Sequence, residues 1–90
     1  MKFKNEKNQI TLYDGTFKVG EITWSSQETN AIVPYHIYMH PAYQKMTKDL
    51  INRIIEKAKE EKKKIIPGCP FVQNELEKND EYMAVFEKNN

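Results

Sequence analysis

The apolar residues of this chain change their period at Pro41, and no single type of element accommodates both periods. Between residues 9 and 39 they largely alternate with polar ones, the spacing of strands with one buried face. Beyond Pro41, Met46, Leu50, Ile51, Ile54, Ile55 and Ala58 recur every third or fourth position, lining one stripe of a helix for about three turns. Strands first and helices second define the α+β class, here a mostly antiparallel sheet with helices packed on it. With 90 residues, 39% of them hydrophobic, there is apolar material for one core, so residues 1–90 are read as a single domain.

The strand region divides at its turn residues. Ile10 and Leu12 alternate within QITLY, and Asp14-Gly15 supplies the dipeptide of a tight hairpin. In TFKVGEITW the apolar phase slips by one residue across Gly20-Glu21, the sign of a bulge. A polar turn, SSQETN, leads into AIVPYHIYM. Ala31, Val33, Tyr35, Ile37 and Met39 are expected on one face of that strand, and Ile32, Pro34, His36, Tyr38 and His40 on the other. Pro34 has no ladder donor and marks an edge or an irregularity. Thr47 is expected to cap the long helix, with Met46 and Ile51 at the spacing of a hydrophobic staple. Asp49 in the first turn and Lys62, Lys63 and Lys64 near the last suit the helix dipole. Ile65-Ile66 reads as a short buried strand, residues 70–78 as a second helix, and YMAVF at 82–86 as an apolar segment of either type. The expected order is three N-terminal strands, a long helix, a strand and a short helix.

Charge and composition narrow the function classes. With 14 Lys+Arg against 13 Asp+Glu, the net charge of +1 supplies no field to recruit nucleic acid or an anionic membrane. No run approaches the ~20 apolar residues of a membrane span. The opening MKFKNEKNQ has no apolar core of the kind a secretory signal carries. One cysteine rules out an internal disulfide framework and fits a reducing, cytoplasmic setting.

That cysteine stands in IIPGCPF, residues 65–71. With Pro70 at the first helical position, where its missing N–H is harmless, Cys69 becomes the helix cap. A thiol there faces free backbone N–H groups and the positive end of a dipole, which favours thiolate. The alternative is a small buried apolar residue, a common fate of free cysteine. His36 and His40 fall on one face of a strand about 13 Å apart, too far to share a metal, and no other histidine completes a zinc site. His36 and Glu21, the latter at the expected bulge, are candidate bases; the alternatives are a half-exposed strand histidine, the more common case, and a solvated strand carboxylate.

The run KDLINRIIEKAKEEKKKIIPGCPFVQNELEKNDEY, residues 48–82, resembles the second half of a small single-domain subfamily of the GNAT acetyltransferase superfamily. The likeness is carried by IIPGCPF, NELEK and Asp80-Glu81-Tyr82 after a long helix. Glu21–Thr23 and HIYMHPAY at 36–43 extend it weakly toward the N-terminus. The resemblance implies acetyl-CoA as ligand and transfer of its acetyl group to an amine, borne by a small molecule or a protein. It implies that the pyrophosphate of CoA sits on the N-terminus of the long helix, at Gln44, Lys45, Met46, Thr47 and Lys48, and that Cys69 lies beside the acyl thioester as relay nucleophile or lining residue. The family pattern before that helix is Arg/Gln-x-x-Gly-x-Gly/Ala, whose glycines let backbone approach phosphate. Here AYQKMTK, residues 42–48, has no glycine. Side-chain bulk in the cradle weakens the expected binding, although Lys45 and Lys48 can meet phosphate as point charges.

Three readings follow. The first is an acetyltransferase in which Glu21, His36 or a water takes the amine proton and Cys69 adjoins the acetyl group. The second is a non-catalytic binding or regulatory module with a degenerate CoA site. The third is a dimerisation module that uses an exposed edge near Pro34.

Overall fold

The computed structural model describes residues 1–26 and 30–78. Four strands form a meander: β1 (Lys2–Glu6), β2 (Gln9–Asp14), β3 (Phe17–Ser25) and β4 (Ala31–Met39). A 3-10 segment at Pro41–Met46 runs into the long helix α1 (Thr47–Glu60), followed by β5 (Lys64–Ile65) and the short helix α2 (Pro70–Glu77). The five strands lie in sequence order, antiparallel from β1 to β4 and parallel between β4 and β5. The expected α+β class and mostly antiparallel sheet are therefore present, with one more N-terminal strand than the hydrophobic pattern discloses. KFKNE has no alternation to read, since Phe3 is its one partly covered residue; its pairing with β2 makes it a strand. The residues of SSQETN at 27–29 and the YMAVF segment at 82–86 lie outside the described residues.

The turn after β2 is a two-residue loop between the paired Asp14 and Phe17, with Gly15 at φ +63°. A left-handed first loop residue matches the twist of the flanking strands, and glycine adopts it without strain.

Two irregularities set which side chains face the core. The first lies one step earlier than the sequence pattern puts it. Tyr13 pairs with Lys18 but Leu12 with Gly20, so Val19 is the extra residue, ahead of Gly20 instead of across Gly20-Glu21. Both Val19 and Gly20 are buried, as a residue inserted toward the core requires. The second lies in β4, where Thr23 pairs with His36 and Trp24 with Pro34, leaving Tyr35 unmatched. The extra residue exchanges the faces: Ile32 and Pro34 are buried before it, Ile37 and Met39 are turned inward after it, and Tyr35 is exposed. The uniform odd and even faces expected for β4 are corrected accordingly, because one bulge inverts the alternation downstream. Pro34 marks this irregularity and not an edge. Its strand is interior, and its carbonyl accepts a hydrogen bond from the Gly68 N–H at 2.8 Å. The free edge on which a dimerisation module near Pro34 depends is covered there.

The α1 stripe places Leu50, Ile51, Ile54, Ile55 and Ala58 on Ile10, Leu12, Ile22, Trp24 and Ile32 of the sheet, and Val72 and Leu76 of α2 join the same cluster. The helices thus cover one face of the sheet. Thr47 does not cap α1. The 3-10 segment makes it the first residue of the helix proper, its backbone N–H bonds the Gln44 carbonyl, and its hydroxyl donates to the same oxygen at 2.8 Å. Met46 occupies the cap position instead, without a side-chain bond, so the staple geometry across Thr47 is lost.

Candidate functional site

Strand β5 meets β4 over a short stretch. Lys64, Ile66 and Gly68 donate their N–H groups to the carbonyls of Asn30, Ile32 and Pro34 at 2.8, 3.0 and 2.8 Å. Gly68 is the apex: a Cβ there would stand 2.6 Å from the Pro34 oxygen and 3.0 Å from Tyr35 Cα. Past this contact the strands part. Tyr35 bulges out of β4, while the other chain turns into α2 at Pro70. The segment of β4 beyond Tyr35 has no ladder partner on its α2 side among the described residues. At its far end the Met39 carbonyl accepts a hydrogen bond from Gln44 Nε2 at 3.3 Å.

Cys69 is the next residue after the apex. It caps α2 as the sequence indicates, with extended φ −157° and ψ 157°, Pro70 at the first helical position and its carbonyl accepting the Gln73 N–H at 3.1 Å. Its side chain makes no capping hydrogen bond; it is half-buried and packs against the edge of the core.

The two candidate bases meet on the sheet face opposite the helices. His36 Nε2 lies 2.9 Å from Glu21 Oε2, and the other carboxylate oxygen, Oε1, pairs with the Lys18 ammonium. The Glu21 side chain is only 16% exposed, against 47% for Lys18 and for His36. The hydrogen bond from Lys18, helped by that from His36, holds the Glu21 carboxyl below its ordinary range against the opposing effect of burial. The same pair raises Lys18. An ionised carboxylate only accepts hydrogen bonds, so His36 donates from Nε2 and its Nδ1 keeps a lone pair, the arrangement of an oriented base. His36 follows the bulged Tyr35 in β4.

Lys18 escapes a reading of the sequence because residues three apart on a regular strand face opposite ways. The extra residue at Val19 brings Lys18 and Glu21 onto one face, opposite Tyr13 and Thr11 of β2. The slipped apolar phase is the one clue the sequence offers to this pairing. His40 stays apart: its Nδ1 accepts from the Ala42 N–H at 3.1 Å and starts the 3-10 segment.

That segment occupies the place of the expected pyrophosphate cradle. Of its residues, Gln44 is turned back to Met39, Met46 packs against the core, and the Thr47 N–H is already bonded to Gln44. Lys45 and Lys48 are exposed. The segment is pinned from outside by Tyr43, whose hydroxyl donates to Asp14 Oδ2 at 3.0 Å, within an aromatic cluster of Phe17, His40 and Tyr43.

A sheet whose parallel last pair parts at a bulge, with a helix crossing between those strands, is now joined by a direct match. The family model of GCN5-related N-acetyl-transferases covers residues 9–85. The chain belongs to this family. Among solved structures, it superposes on the solution structure of a GCN5-like protein from Staphylococcus aureus with a TM-score of 0.80 and 27% identity, covering 99% of this chain and 90% of the other. No curated protein sequence matches. As a GCN5-related domain, the chain has the long helix, the short strand and the corner cysteine ahead of a second helix on which the resemblance rests.

Proposed function

We propose that this GCN5-related domain binds acetyl-CoA and transfers the acetyl group to an amine. The observation that carries the reading is the end of β4–β5 pairing at the Pro34–Gly68 contact, which we read as the mouth of a slot for the cofactor, with Cys69 next to Gly68 in the chain and His36, held by Glu21, further along β4. Such a slot suits the thioester arm of the cofactor: a glycine stands at its apex, and among the described residues the backbone beyond Tyr35 has no ladder partner on that side, which suits amide groups of the ligand. The diphosphate end fits less well, because the 3-10 turn fills the cradle and leaves Lys45 and Lys48 as the cationic partners. Weak binding follows.

The cofactor supplies an acetyl group activated as a thioester. The chain's own residues do the rest. His36 Nδ1 takes the proton the attacking amine must lose, Glu21 holds the ring in place, and Cys69 lines the acyl position. General-base assistance of this kind is worth about 10²–10⁴ in rate. Calorimetry with CoA and with acetyl-CoA tests the reading: binding in the micromolar to millimolar range supports it, and no heat at millimolar ligand overturns it.

A second reading, a non-catalytic module with a degenerate CoA site, is favoured by one observation, the Thr47 N–H bonded to Gln44 where a phosphate acceptor is expected. Thr47→Gly removes the hydroxyl bond to Gln44 and loosens the turn. A tighter CoA isotherm in that variant supports a cradle blocked by its own turn, and an unchanged one indicates that more than the turn is altered.

A further inference from the structure

We infer that Lys18 is a positioning residue for the His36 base, acting through Glu21. The inference rests on the proposed role of His36 and adds a residue that neither the family pattern nor the slot identifies. The Glu21 carboxylate is forked between two partners, Lys18 on Oε1 and His36 on Oε2 at 2.9 Å. A carboxylate with one partner rotates about its terminal torsion and can leave the ring; with Lys18 on the other oxygen, Oε2 stays on Nε2.

The bulge makes the arrangement possible. Without the extra residue at Val19, Lys18 would point to the helix side of the sheet and Glu21 would face His36 alone. Among the described residues, the other charged or titratable groups on this face are Lys2, Lys4 and Glu6 from β1, Tyr13 from β2 and Tyr38 from β4, with the exposed Tyr35 next to His36. Lys4 is engaged with Glu6 at 3.3 Å, and Tyr13 and Tyr38 flank Lys18. None of these bonds Glu21, so Lys18 is the cation that fixes it.

The test uses the whole chain and reads the imidazole directly. Nitrogen-15 shifts of the His36 ring, followed against pH by NMR, report both tautomer and titration midpoint. The wild type is expected to show the Nε2–H tautomer as the main neutral form. Lys18→Gln, an exposed substitution, is expected to leave the backbone spectrum outside β3 and β4 in place and to mix the tautomers, as Glu21 is released to rotate away from the ring. Lys18→Arg restores the wild-type pattern. An unchanged tautomer in Lys18→Gln overturns the inference. If the wild-type chain also transfers acetyl groups, Lys18→Gln lowers kcat several-fold with KM for acetyl-CoA unchanged. Absence of all acetyl transfer counts against the proposed function alone, and the ring signals still decide the role of Lys18.

Discussion

Replacing Gly68 by alanine probes the apex of the slot. The glycine is needed for space and not for its torsion, because its added Cβ would lie 2.6 Å from the Pro34 oxygen and 3.0 Å from both Cα and Cβ of Tyr35. All three neighbours are fixed by the β4 backbone, so the strand must retreat. Retreat weakens the 2.8 Å Gly68 N–H to Pro34 bond, worth about 1 kcal/mol, and adds overpacking strain of about 1–3 kcal/mol. Against this stands a gain of about 0.4–1 kcal/mol from the stiffer unfolded chain. The net is about 2 kcal/mol of destabilisation, which for a domain of this size lowers Tm by about 10 °C. Thermal unfolding followed by circular dichroism measures it. A Tm within about 2 °C of wild type, below the change that even a fraction of this strain produces, would refute the claim that β4 and β5 close tightly at this point.

Other outcomes follow from the same structure. Ile54, fully buried under the sheet, is expected to lose about 2–5 kcal/mol on truncation to alanine, measurable by urea unfolding at constant m-value. Glu21 has a depressed carboxyl, so the unfolded chain takes up its proton first as pH falls. Its contribution is fully present above about pH 5 and lost as pH drops through the lower folded value; screened by solvent, it is on the order of 1 kcal/mol. Stability curves of wild type and Glu21→Gln should therefore converge toward pH 3, and a constant gap would contradict the assignment. Cys69→Ala, at a half-buried cap whose thiol makes no capping bond, is expected to fold normally. In an acetyl-transfer assay a large fall in its turnover marks a nucleophile, and an unchanged rate marks a lining residue. Tyr43→Phe removes the exposed bond to Asp14 with little effect on stability, and tests whether the pinned 3-10 turn limits CoA affinity.

Much of this architecture was legible in the residues. The period change at Pro41 separated sheet from helix, Pro70 located the start of α2, and Cys69 caps it as the Pro-Gly-Cys-Pro corner requires. What escaped was the effect of single inserted residues. The slipped phase near Gly20 announced a bulge but not its position, and the bulge at Tyr35 inverted a face that alternation alone treats as continuous. Lys18 was hidden for that reason. Strand β1 was missed because an edge strand with one partly covered side chain leaves no periodic trace. Thr47 had the chemistry of a cap but lost the position to a 3-10 turn, an outcome decided by where Tyr43 and Gln44 anchor and not by local preference.

The parallel pairing of β4 with β5 also bears on how the molecule assembles. The meander joins neighbours in the chain and closes through short turns, whereas Pro34 and Gly68 meet only after the whole of α1 has been carried across the sheet. Distant pairings of this kind form late, since loop closure comes before any contact that compensates it. The two walls of the slot thus come from an early-forming and a late-docking part of the chain. A compound that bridges them acts as a strut on the last step of folding, so its binding should register as slower unfolding even where no acetyl group is transferred.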